Sequence, residues 1–176
     1  MAVVMRTDIK YKHDFDRKTK RHRLNDNQIV LHCHHYLSLY TQLALDANET
    51  ELLKECAREN FRLVLDSYFK NNPDIDSLQA KLEIGCQYYG LFGLGKLTVD
   101  YLGDDAGEVT LSVSHTDSGW IKKWGPYDKP VNYITAGYVE ALFESVLCLP
   151  DKSFEAVETQ SIVMGADVSR FKAIRR

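Results

Sequence analysis

Residues 96–101, KLTVDY, alternate apolar and polar positions one by one, Leu97, Val99 and Tyr101 against Lys96, Thr98 and Asp100. Residues 108–115, EVTLSVSH, repeat the pattern, with Val109, Leu111, Val113 and His115 against Glu108, Thr110, Ser112 and Ser114. A period of two places each set on one face of a strand. The intervening GDDAG (103–107) supplies a turn, so the segment predicts a half-buried antiparallel hairpin with His115 on its apolar face.

Helical spacing governs the chain before this hairpin. Leu53, Ala57, Phe61, Val64 and Tyr68 form one stripe, predicting a helix over 49–71 that ends before Pro73. Leu78, Leu82, Cys86 and Tyr89 form another, predicting a helix over about 75–91 that is broken by the three glycines of GLFGLGK. Upstream, QIVLHCHHYLSLYTQLALDA reads as a short strand entering a helix at about 33–47, after a turn at Asn25-Asp26-Asn27. Residues 10–27 are polar, with Arg17, Lys18, Lys20, Arg21 and Arg23 close together, and read as a solvated arm or hairpin. The division expected is an N-terminal arm over 1–27 and a domain over 28–176.

After the hairpin, TDSGWIKKWGPYDK (116–129) reads as a loop carrying Trp120 and Trp124. Asp128 is the expected N-cap of a helix with Pro130 near its first turn and Val131, Ile134, Tyr138, Leu142 and Val146 on its buried face. SFEAVETQSIVM and DVSRFKAI close the chain as a second hairpin, turning at Gly165-Ala166-Asp167. Helices grouped beside antiparallel strands give the fold class α+β, an antiparallel sheet packed against several helices.

The net charge of −3 argues against a general nucleic-acid binder. No run of about 18 apolar residues is present, so no membrane span is expected. The N-terminus lacks the apolar core of a secretory signal. Cys33, Cys56, Cys86 and Cys148 are scattered without paired spacing, which points to reduced thiols in a cytoplasm. Cys56 and Cys86 fall in helical apolar patterns and read as small core hydrophobes.

PVNYITAGYVEALFESVL (130–147) followed by VETQSIVMGADVSRFKAI (157–174) resembles the V4R domain, the 4-vinyl reductase or hydrocarbon-binding family. The family's hairpin frame, Glu-x-x-Cys-x-x-x-Gly-x-x-x-Cys-x-Phe, reads here as Glu158, Ser161, Gly165, Ser169 and Phe171. The resemblance is best over residues 76–176. It implies a single V4R-like α+β domain with a largely enclosed apolar pocket between helices and sheet, often dimeric, serving as a sensor or accessory protein. In phenol-responsive members the two hairpin cysteines help hold zinc; others accompany bacteriochlorophyll synthesis, and the fold is similar to that of vesicle-tethering subunits. Both cysteines are serine here, and a neutral hydroxyl replaces a thiolate poorly as a zinc ligand. The family's zinc site is therefore expected to be absent, with Ser161 and Ser169 hydrogen-bonded to backbone.

LHCHHY (31–36) carries the densest candidate chemistry. On a helix His32 and His35 share a face; on a strand His32 pairs with His34 and Cys33 with His35. Either way the stretch supplies two metal ligands at most, so His115, Cys86, Cys148, Glu140 or Glu158 would have to complete a tetrahedral site. A haem would need one axial ligand in an apolar pocket; Tyr36, Tyr88, Tyr89, Phe92, Trp120, Trp124, Tyr133 and Tyr138 supply aromatics for one. By analogy with the vesicle-tethering relatives, Cys33 is a candidate for acylation or ligand contact.

The leading expectation is a carrier, sensor or accessory subunit binding a small apolar or aromatic molecule. Its pocket would be lined by His32, Cys33, His35, Tyr36, Tyr89, Phe92, His115, Trp120, Trp124, Tyr133 and Glu158, with the tryptophan loop over its mouth. No DNA-binding or ATPase domain is recognisable, so output would pass through a partner protein or a homodimer. One alternative is a metal- or haem-dependent enzyme using His32-Cys33-His34-His35, with His32 and His35 on the metal; no catalytic residue is assigned. The other is a dimeric structural subunit.

Overall fold

The computed structural model describes residues 7–31 and 33–176, with His34 described by its backbone only. Strands β1 (His13–Asp16), β2 (Arg21–Leu24) and β3 (Asn27–Ile29) form a small antiparallel sheet in that order. The turn at Asn25 and Asp26 has both residues at positive φ, 47° and 65°, a conformation these side chains tolerate.

Helices α1 (His34–Ala47), α2 (Thr50–Asn71) and α3 (Leu78–Leu91) follow. A second sheet is built from β4 (Gly95–Leu102), β5 (Ala106–Ser114), β6 (Phe154–Gln160) and β7 (Ser169–Arg175), in the antiparallel order β4-β5-β7-β6. Helices α4 (His115–Trp124) and α5 (Tyr133–Val146) connect its two hairpins. The architecture is the α+β class expected.

Helix α5 is the centre of the molecule, buried from Thr135 through Val146 on every side and packed between α2 and β6. Gly137 lets α2 and α5 meet backbone to backbone, because a Cβ there would lie 2.3 Å from the Lys54 carbonyl oxygen. The α2 stripe Ala57, Phe61, Val64 and Tyr68 is buried as its spacing predicts.

Four local expectations are corrected. Residues 115–124 are helix rather than loop or strand end: the Ser114 hydroxyl accepts from Asp117 N at 3.0 Å, and this cap starts α4 at His115. The cap of α5 is Asn132, with Asp128 exposed ahead of it. Register shifts between Lys96 and Leu97 and between Val99 and Tyr101 break the strict alternation. Leu97, Val109 and Leu111 therefore face the core while Tyr101 and Val113 turn outward. Cys56 is exposed rather than buried, because it lies beside the α2 stripe and not on it.

Candidate functional site

A half-open cavity of about 510 Å3 lies among the β2–β3 turn and the segment after it, α1, α2 and the end of α3. Leu24, Ile29, Val30 and Leu31 form one wall, and Leu53, Cys56, Ala57, Asn60, Phe61 and Val64 of α2 the opposite one. Leu37, Leu91, Phe92, Leu94 and Ile134 close it. Helix α1 begins at His34, and the apolar pair that precedes it borders the space instead of entering the core; Val30 and Leu31 stay 74% and 69% exposed. Phe61 packs edge-on against Phe92 at 5.6 Å and Tyr138 at 4.9 Å, which stiffens the aromatic side of the cavity. Its polar lining groups are the amides of Asn27, Gln28 and Asn60. No Asp, Glu, Lys, Arg or His lines it among the described residues. Such a lining suits an uncharged guest, because an ion would be desolvated without a partner.

Of the expected pocket residues, Phe92 lines this cavity. Cys33, His35 and Tyr36 are exposed at the start of α1; Cys33 Sγ lies 3.5 Å from His35 Nδ1, and Tyr36 packs on Tyr40. His32 lies outside the described residues. Tyr89 fills the interior between α3 and α5, its hydroxyl 2.8 Å from Thr135 Oγ1. Tyr138 does the same and donates to the Gly85 carbonyl at 2.6 Å. Burial raises the pKa of both phenols, so they serve there as neutral hydroxyls. Burial also pushes the Cys86 thiol up to about 11, leaving it un-ionised.

Trp120 packs with Val131 and Val163 in a separate small core, next to the half-exposed Trp124. The tryptophan segment thus pins α4 to the β6–β7 hairpin, and neither tryptophan lines the α2 cavity. His115 is half-buried, and its backbone N–H donates to Leu94 O at 3.0 Å. Tyr133 and Glu158 share a smaller cavity of about 190 Å3 that, unlike the first, has charged side chains in its lining, among them Glu51 and Lys54. The residues that sequence reasoning passed over are Val30 and Leu31, Cys56 and Asn60. Their signal was an apolar pair ahead of a helix and the positions flanking the α2 stripe.

The hairpin frame gathers elsewhere. Glu158, Ser161 and Ser169 meet Asp117 of α4 and Asn132 of α5, and all but Glu158 are buried to 2% exposure or less. Asn132 Nδ2 donates to Asp117 Oδ2 at 2.9 Å and to Glu158 Oε1 at 2.8 Å. Asn132 N donates to Glu158 Oε2 at 3.0 Å. Ser169 Oγ accepts from Ile162 N at 3.0 Å and donates to Asp117 Oδ2 at 3.2 Å. Ser161 Oγ is buried without a hydrogen bond of ordinary geometry among the described residues, yet lies near enough to favour the charged form of Glu158. Burial of Glu158 outweighs that and the Asn132 bonds, and its pKa is raised. Among the described residues no group of three or more His, Cys, Asp and Glu is placed to hold a metal ion. The set offers no thiolate or imidazole, so the zinc implied by the family frame does not fit these residues.

The solved structures that match share this architecture. The phenol-responsive sensory domain of the transcription activator PoxR, solved with phenol, superposes with a TM-score of 0.78 at 15% identity, covering 93% of this chain and 84% of that one. A vinyl-4-reductase family protein from Methanocaldococcus jannaschii gives 0.55 at 15% identity, with 84% of each chain covered. Subunit 3 of a trafficking protein particle complex from Naegleria fowleri, covalently bound to palmitic acid, gives 0.54 at 13% identity, covering 81% and 95%. No protein-family model and no curated protein matches the sequence. At these identities the likeness is one of fold: the chain has the V4R-like α+β fold, as the hairpin frame led us to expect. No described helix is long and apolar enough to cross a membrane.

Proposed function

We propose that this chain is a binding module for a small uncharged apolar or aromatic molecule, acting as a sensor, carrier or accessory subunit. The cavity against α2 carries the reading: about 510 Å3 of space with an apolar lining and neutral amides as its polar groups. The V4R-like fold supports it, since relatives of that fold were solved with phenol and with a fatty acyl chain. Signal output passes through a homodimer or a second protein, in a cytoplasm. Residues 7–27 form an arm that packs on the domain and lends Leu24 and Asn27 to the cavity. The exposed His35 stands outside the cavity.

The test is titration calorimetry with native mass spectrometry on the full chain against phenol, a larger alkylphenol, a terpene and palmitate. One of these classes is expected to bind once per chain and to lose affinity in Leu53→Trp, which adds a ring to the cavity wall. Failure of every class to bind folded protein would overturn the reading. Palmitoyl-coenzyme A tests acylation separately, the protein thiol attacking the thioester carbonyl and coenzyme A leaving as the free thiol: a mass increase lost in Cys56→Ser assigns acylation to Cys56 at the wall, and one lost in Cys33→Ser to the exposed Cys33.

A further inference from the structure

The node where α4, α5 and the β6–β7 hairpin meet carries Ser161 and Ser169 at the two positions where the resemblance to the V4R family implies zinc-holding cysteines. Its centre is the Asn132 side-chain amide, whose nitrogen lies 2.9 Å from Asp117 Oδ2 and 2.8 Å from Glu158 Oε1. The amide's orientation is set from its other end. Ser114 Oγ already accepts from Asp117 N, so its own proton goes to Asn132 Oδ1 at 3.1 Å. Turning the amide over would aim a carbonyl oxygen at two carboxylates and set its NH2 against the proton of Ser114.

We infer that the Asn132 NH2 group takes the place of a divalent cation, bridging the buried Asp117 carboxylate and the partly buried Glu158 carboxylate so that hydrogen bonds alone join α4, α5 and the hairpin. A cation needs lone pairs aimed at it, whereas this centre is filled by N–H groups, two from the side chain and one from the Asn132 backbone. The backbone helps with the negative charge. Asp117 sits in the first turn of α4, and Glu158 accepts the N–H of the α5 cap residue, so both carboxylates lie at positive helix ends. Ser169 completes the arrangement by spending its proton on Asp117 and its lone pair on Ile162 N, leaving the hydroxyl committed to the protein. The node stands independently of any guest in the α2 cavity.

The experiment is metal analysis and thermal melting of the full chain, with and without EDTA and with added Zn2+. Substoichiometric metal and a Tm unmoved by either reagent are expected. A stoichiometric divalent ion whose removal lowers Tm would overturn the inference. Asn132→Asp keeps the shape but exchanges the bridging NH2 for a third carboxylate oxygen. Its Tm is expected to fall by at least about 5 °C; a Tm equal to the parent's would overturn the bridging role. Should this variant fail to fold, the measurements on the parent chain decide alone.

Discussion

The Glu140 carboxylate of α5 accepts a hydrogen bond from the backbone N–H of Ala156 at 2.8 Å, and one turn later Glu144 accepts from Phe154 N at 3.2 Å. Strand β6 is an edge of the larger sheet, so these N–H groups have no strand neighbour. Four helical residues rise about 6 Å and two strand residues about 6.6 Å, so the two spacings match. The glutamates are held in turn by α2: Glu140 lies 3.5 Å from Lys54 and 3.4 Å from Arg58, and Glu144 2.9 Å from Arg62.

Glu140→Ala removes an edge acceptor and leaves Lys54 and Arg58 short of a buried anion. Because Lys54 keeps Glu51 and Arg58 keeps Asp151, a loss of about 3 kcal/mol is expected, the low end for breaking a buried pair. Urea unfolding of parent and variant checks it; a change within about 0.5 kcal/mol would contradict the clamp.

Gly137→Ala places a methyl group 2.3 Å from the Lys54 carbonyl oxygen. The α2–α5 contact must open or the chain must shift, at an expected cost of about 1–3 kcal/mol. The same unfolding measurement applies, and an unchanged midpoint would show that the helices do not meet this closely.

Burial raises the pKa of Glu158 and of Glu144 above the ordinary 4.5. A carboxyl whose folded pKa exceeds its unfolded value binds its proton more tightly in the folded state. It stabilises the fold fully below the unfolded pKa, and that contribution is lost as pH rises through the raised folded value. Tm should therefore gain less between about pH 4 and about pH 7 than the paired surface carboxylates would give by themselves. In Glu144→Gln the gain over the same interval should be larger, as read by calorimetry in buffers of matched ionic strength.

Tyr36, Leu39, Tyr40 and Leu43 line one side of α1 and are 52%, 39%, 49% and 54% exposed. The homodimer proposed above is expected to use this stripe. Light scattering should give twice the chain mass for the parent and a single chain for Leu43→Glu, with Tm measured alongside to show that the monomer remains folded. A parent that stays monomeric at high concentration would remove the dimer from the proposal.

The periodicities determined by themselves which segments became helices and strands over most of the chain. Both hairpins of the larger sheet, the α2 stripe and the turn at Asn25-Asp26 were all legible, because each depends on residues within a few positions of one another. The Ser114-x-x-Asp117 cap was also legible, though the alternation of EVTLSVSH masked it. Glu158, Ser161 and Ser169 could be grouped through the resemblance to the V4R hairpin frame, but their companions could not. Asp117 and Asn132 reach them only through packing between elements far apart in sequence. The cavity was decided in the same way. Tyr89 and Tyr138 have the composition of pocket walls, yet their hydroxyls find Thr135 and a backbone carbonyl, and the rings fill the interior. The open space lies instead where the apolar pair Val30 and Leu31 runs past the flank of α2, since a void arises from how surfaces fail to meet, which no local pattern encodes.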